Sequence, residues 1–161
     1  MQSARPVLAR VGACLSLLAS LTLTVRVNGD EVELRGYWQE PSGAVIQIAS
    51  CARGLCLTLV AMPRGDHPVK DVNNPDINLR TRALCGLLIG QDFTQIDSQR
   101  AEGGHLYDPR SGLSYHGSIT VQGNTLQLRG YIGLKLLGRT QTWRRVGQNR
   151  ATCTPQRSRG S

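Results

Sequence analysis

Residues 71–86, Asp-Val-Asn-Asn-Pro-Asp-Ile-Asn-Leu-Arg-Thr-Arg-Ala-Leu-Cys-Gly, hold the densest set of groups that could do chemistry. Two carboxylates, Asp71 and Asp76, stand near two guanidinium groups, Arg80 and Arg82. Such a set has two uses. The arginines can meet an anionic headgroup, since guanidinium forms charge-assisted hydrogen bonds to carboxylate or phosphate. They can instead pair with Asp71 and Asp76 and staple the segment as a lid. The segment is no calcium loop: Pro75 sits at the fifth position, no glycine at the sixth, and Arg82 where a glutamate is required.

Other candidate groups are sparser. His67, His105 and His116 have no zinc-ligand spacing, and the cysteines add none. If Tyr107 pairs with Leu113, His105 faces Tyr115 and the two strand histidines point to opposite sides. A one-residue shift would align them. Ser114 near His116 is adjacency on a strand, where neighbours face opposite ways. Glu102 and Asp108 are a conceivable carboxylate pair for hydrolysis. Asp108 is better read as capping the turn at Pro109, and Glu102 as offsetting a nearby arginine. The expectation is a non-enzyme with no metal and no cofactor.

These groups must be positioned by strands, because apolar residues recur with period two. Val32–Gln39, Ala44–Ser50 and Leu55–Met62 read as strands, the last with Leu55, Leu57, Leu59 and Ala61 on one face. Residues 63–83 then break the pattern for about twenty positions, long for a compact domain. Asn74 followed by Pro75 reads as a helix start, giving one or two turns over Pro75–Arg82. Extended structure resumes at Leu84–Ile89, Gly103–Asp108, Leu113–Val121, Thr125–Tyr131 and Arg139–Val146. About eight short strands joined by turns make an all-β, up-and-down barrel, since closure removes both sheet edges. The barrel spans residues 30–147. An eight-stranded barrel is filled by side chains or holds one small ligand. In the second case Leu59, Leu88 and Ile119 would line the wall beneath Arg80 and Arg82.

The N-terminus carries Arg5 and Arg10 before an apolar run from Val11 to Val25. That pattern reads as a secretory signal over residues 1–27, too short for a comfortable membrane span of roughly 20 apolar residues. A periplasmic or secreted protein follows, membrane-anchored if the signal stays. Charge is uneven. Residues 28–108 hold 7 Lys and Arg against 11 Asp and Glu, while residues 109–161 hold 9 Lys and Arg and no acid. Such a basic C-terminal third suits an anionic envelope component as partner, or simply a solvated tail. With one Phe and no aromatic residues interleaved among the basic ones, nucleic acid is not the partner. Residues 148–161 lack apolar pattern and read as a basic, disordered tail.

Several blocks occur in the order of a known family: Gly36-Tyr37-Trp38, Cys51…Cys56, Asn73-Asn74-Pro75-Asp76, Leu84-Cys85-Gly86, Glu102-Gly103-Gly104, Tyr107-Asp108-Pro109, and Arg129-Gly130-Tyr131 through Trp143. Over about residues 36–145 the chain resembles an uncharacterised family of exported bacterial proteins with a lipocalin-like barrel. Ala83 and Leu57 depart from that pattern. The resemblance implies that Trp38 on the first strand packs under an arginine of the last, with Arg145 the candidate. The barrel architecture, whose mouth is a preferred pocket site, points to a small, partly apolar or amphiphilic ligand. The alternative is an envelope interaction module with a filled barrel and a basic docking surface. If oxidised, Cys51 and Cys56 flank a hairpin connection and can pair; the runner-up is Cys56 with Cys85. Cys153 would stay free or pair between chains.

Overall fold

The structure is a computed structural model, and it describes residues 33–153. The expected signal segment and the last eight residues of the tail lie outside the described residues.

Eight antiparallel strands close into one barrel in chain order. They are β1 (Gly36–Gln39), β2 (Val45–Cys51), β3 (Gly54–Ala61), β4 (Leu88–Gln95), β5 (Arg100–Asp108), β6 (Leu113–Gln122), β7 (Thr125–Tyr131) and β8 (Arg139–Val146). Closure comes from β1 pairing with β8, Trp38 opposite Arg145. Every β-strand therefore has a neighbour on both sides, and no edge is left to template aggregation. Period two decides what points inward. Leu55, Leu57, Leu59 and Ala61 of β3 are all buried, while the residues between them are partly exposed.

One half of the barrel is packed solid. Trp38, Ile48, Leu57, Phe93, Ile119, Val121 and Leu126 fill it, each almost fully buried. Phe93, the lone phenylalanine, fits because its neighbours are glycines. A Cβ at Gly104 would stand 2.4 Å from three atoms of its ring, and one at Gly117 2.8 Å from its Cζ. This end is sealed by Arg145, whose guanidinium lies 4.1 Å from the Trp38 ring centroid. Arg145 also donates to the backbone oxygens of Arg35 (2.9 Å) and Glu33, while Trp38 Nε1 donates to the Leu34 oxygen at 3.0 Å. Charge on a ring face and satisfied donors make this a rigid plug.

The strand expected at Leu84–Ile89 lies further on. Residues 84–87 belong to the long connection, and β4 and the start of β5 occupy residues that show little alternation. The expected helix over Pro75–Arg82 shrinks to a 3₁₀ turn, Ile77–Leu79. Its cap is Asp76, which accepts from Asn78 N, whereas Asn74 accepts from Asp76 N to form the turn before it. The β5–β6 register pairs Tyr107 with Ser114 and Asp108 with Leu113. Asp108 takes hydrogen bonds from the backbone of Arg110, Ser111 and Gly112, so the hairpin closes there. That one-residue shift sets His105 opposite His116.

Two disulfides are present among the described residues. Cys51–Cys56 clamps the β2–β3 hairpin, with a Cα separation of 5.8 Å. The second joins Cys85 to Cys153 at 5.4 Å, so Cys153 is not free and the Cys56–Cys85 alternative is excluded. Residues 148–153 are correspondingly not a loose tail. A 3₁₀ turn covers Gln148–Arg150, and the amides of Thr152 and Cys153 both donate to the Val60 oxygen. Those contacts join segments far apart in sequence, which local pattern cannot reveal.

Candidate functional site

The other half of the barrel is hollow. A cavity of about 940 Å³ opens at the end where the β1–β2, β3–β4, β5–β6 and β7–β8 connections meet. Its floor is apolar: Ile46, Leu59, Ile89, Leu106, Leu128 and Trp143. Polarity rises toward the mouth. Along β8 the inward positions read Trp143, Gln141, Arg139, and all three line the cavity. Trp143 Nε1 donates to Gln141 Oε1 at 3.1 Å, which holds the amide against the wall. Lys70 borders the mouth as well, and among the described residues neither Lys70 nor Arg139 has an ion-pair partner. Arg110 and Glu40, also at the mouth, stand 3.8 Å apart.

The long connection between β3 and β4 forms one wall of the mouth, and Asp71 organises it. Its side chain is 0% exposed. It accepts from Tyr107 Oη (2.6 Å), Asn74 Nδ2 (2.7 Å), Arg82 Nε (2.8 Å) and Arg82 Nη2 (2.7 Å). Burial pushes the Asp71 carboxyl up. The hydrogen bonds from Tyr107, Asn74 and Arg82, with Arg82's charge, outweigh that and hold it below the usual carboxylate value. Tyr107 moves the opposite way: burial raises it, and the hydrogen bond and charge of Asp71 raise it further. Backbone hydrogen bonds pair Asp71 with Arg82 and Leu84 with Val69, and Asn73 Nδ2 reaches the Arg110 oxygen at 3.0 Å. The segment is therefore braced onto β5 and the β5–β6 turn. Val72, Asn73 and Leu84 face the cavity.

The sequence-expected residues divide between these two places. Leu59 is on the cavity floor. Leu88 is not; it is 43% exposed on the outside of β4, and its neighbour Ile89 takes the inward position. Ile119 is buried in the packed half and does not border the cavity. Arg80 and Arg82 do not border it either. Arg82 belongs to the Asp71 cluster and also lies 5.4 Å over the Tyr107 ring. Arg80 Nε donates to the Asn74 oxygen at 2.8 Å. Asp76 caps its 3₁₀ turn and meets neither arginine. Trp38 and Arg145 seal the far end, and Cys51–Cys56 clamps a hairpin at that end.

Tyr107, Gln141, Arg139 and Lys70 went unread in the sequence. The signal for Gln141 and Arg139 was the alternation of β8 itself, read inward from Trp143. Tyr107 stands in one of the family blocks, but nothing local marks its role, because its partner lies 36 residues away.

Glu102 and Asp108 do not form a carboxylate pair. Glu102 binds Lys135 at 2.9 Å, and Asp108 caps its turn. The His105 and His116 rings stand 5.4 Å apart, with Asp92 3.8 Å from His105 Nδ1. Among the described residues no three side chains converge as a metal site.

A closed eight-stranded barrel, plugged by a tryptophan and an arginine at one end and open over a cavity at the other, is a lipocalin-like barrel. The solved protein HP1028 from Helicobacter pylori, described as belonging to the lipocalin family, has a similar fold. Its TM-score is 0.67 at 22% identity, over 73% of this chain and 86% of that one. The chain belongs to the family described as uncharacterized protein conserved in bacteria (DUF2147), which matches residues 36–145. No curated protein matches it.

Proposed function

We propose that the protein is a non-enzymatic carrier or sensor of a small amphiphile, held in the barrel with its apolar part inward. The observation that carries this reading is the open cavity of about 940 Å³, apolar at its floor and cationic at its mouth. Its volume lies in the upper part of the range for small-molecule sites, roughly 300–1,000 Å³. The wall gradient from Trp143 through Gln141 to Arg139 matches a molecule with an apolar tail and an anionic or polar head. An open half-barrel also speaks against a filled interaction module. Export to an oxidising compartment accompanies this reading, and two disulfides support it.

The test is native mass spectrometry of protein extracted mildly from its own cells, followed by titration with brominated fatty acids. Trp143 borders the cavity whereas Trp38 is sealed away, so a ligand in the barrel quenches part of the tryptophan emission. Leu106→Trp, which fills the floor, should abolish both the retained mass and the quenching. Repeatedly ligand-free protein with unquenched emission sinks the proposal.

A further inference from the structure

The exposed apolar side chains are not scattered. Among the described residues the large ones, apart from Leu88 and Ile96, lie in or next to three connections at the open end of the barrel, and of these Val72, Leu113, Ile132 and Leu137 line the cavity. Val69, Val72, Ile77 and Leu79 come from the β3–β4 connection, and Leu113 from the start of β6. The β7–β8 connection contributes Ile132, Leu134, Leu136 and Leu137, the last three 69%, 86% and 76% exposed. The chain holds that connection in place. Arg129 Nε donates to the Lys135 oxygen at 2.9 Å and Nη2 to the Leu136 oxygen at 2.8 Å, while Nη1 donates to Thr140. Gly138 lets the connection close against β7, since a Cβ there would stand 2.7 Å from the Gly130 oxygen. The backbone polar groups are thus satisfied toward the barrel, and the leucines are left facing solvent.

We propose that this rim docks on the surface of an anionic lipid bilayer, with the β7–β8 connection as its principal insertion point. Three observations choose a bilayer over a folded partner. The apolar residues come from separate connections at one open end rather than from one continuous patch, and a bilayer needs no complementary shape to cover them. Cations without an ion-pair partner among the described residues adjoin them: Arg139 follows Leu136 and Leu137 closely, and Lys70 adjoins Val69, while Lys135 is paired with Glu102. Leucines flanked by Lys and Arg seat at the headgroup boundary, where apolar burial and attraction to anionic lipid add. Finally, the exposed apolar set is continuous with the cavity, since Val72, Leu113, Ile132 and Leu137 belong to both. A bilayer touching the rim opens directly onto the apolar floor. The amphiphile could then pass between membrane and barrel without crossing water. That last step rests on the proposed ligand binding; the docking does not.

The test is hydrogen exchange of the full chain with vesicles of phosphatidylcholine alone or mixed with phosphatidylglycerol. Amides of residues 132–138 should gain protection with the anionic vesicles, and less as salt is raised. Leu134→Ser/Leu136→Ser, two exposed residues that do not line the cavity, should lower vesicle partitioning at this site by about tenfold or more and remove the protection. The same variant should still be quenched by brominated fatty acid in solution, which separates failure of docking from failure of ligand binding. Protection confined to residues 1–27, or unchanged in the double variant, overturns the proposal. So does a leucine-dependent dimer in sedimentation without vesicles, which would assign the rim to a second copy. A variant that loses its melting transition is replaced by Leu136→Ser alone, with the same two outcomes.

Discussion

The two ends of this barrel are built from the same eight strands by opposite rules. At the closed end the inward positions carry Trp38 and Phe93, and Gly104 and Gly117 give up volume so that Phe93 fits. At the open end the inward positions pass from leucine to glutamine, arginine and lysine, and no side chain crosses the space. Stability is therefore concentrated at one end and binding capacity at the other. A hollow half gives up dispersion and apolar burial that a filled one would have. The open end is held instead by polar and covalent ties: the Asp71 cluster and the Cys85–Cys153 bond.

The contrast breaks most sharply at Trp38. Trp38→Ala removes a fully buried indole, its hydrogen bond to Leu34 and the face under Arg145, and should destabilise the fold by about 3–5 kcal/mol. Denaturant unfolding measures it. A loss below about 1 kcal/mol would mean that the packed end is not the stable one.

The disulfides sharpen the comparison. Cys51–Cys56 spans 5 residues at the closed end, and Cys85–Cys153 spans 68 across the open one. In the chain-entropy view the longer loop matters more, so Cys85→Ser/Cys153→Ser should cost about 2–4 kcal/mol and Cys51→Ser/Cys56→Ser about 2 or less. Non-reducing peptide mapping of the native protein checks the pairing first. Equal losses from the two double variants would contradict the stated division of labour.

Asp71→Ala comes next. It leaves Tyr107, Asn74 and Arg82 without their common acceptor, at about 2–3 kcal/mol, moderated because Arg82 is partly exposed. The same group predicts a pH dependence. Its folded pKa lies below the ordinary carboxylate value of 3.8, so the unfolded chain takes up a proton first as pH falls. The contribution is full above the ordinary carboxylate range, declines as pH drops through 3.8, and is gone below the folded value. Tyr107 gives the alkaline counterpart. Its folded pKa is raised above 10.0, so its contribution is present below that value and lost as pH rises through the folded one. Melting curves should show the acid-side loss shrinking in Asp71→Ala. An unchanged acid limb would remove Asp71 from the account.

The barrel was legible in the sequence because closure depends on alternation and turns, both local. Leu55 to Ala61 declared their face without any partner. What stayed hidden depended on register or on distant pairing. β4 and the start of β5 are irregular: Asp92 sits at φ 62° and the β3–β4 and β5–β6 ladders shift register. Alternation misjudged Leu88 for that reason. Arg80 and Arg82 were visible as charged groups near a mouth, but proximity to a mouth does not say which way a guanidinium turns. Tyr107, whose role nothing local marks, turned Arg82 inward to the Asp71 cluster by sharing its acceptor.

The smallest expected effect tests the cationic mouth. Lys70 and Arg139 are exposed, so as single surface charges each contributes about 0.2–1 kcal/mol to holding an anion. Lys70→Gln/Arg139→Gln should therefore weaken binding of a fatty acid by roughly two- to tenfold at low ionic strength. The difference should narrow as salt is raised, because exposed charges beyond about 10 Å are screened at 0.1 M. Chain melting should move little, since neither residue has an ion-pair partner among the described residues. The discriminating probe is the alcohol of the same chain length, which has no charge to lose. If the mouth reads an anionic head, the acid weakens and the alcohol does not. If both weaken together, the two residues act on the shape of the mouth rather than on charge. If neither does, the gradient along β8 ends at Gln141, and the head is held by hydrogen bonds below the rim.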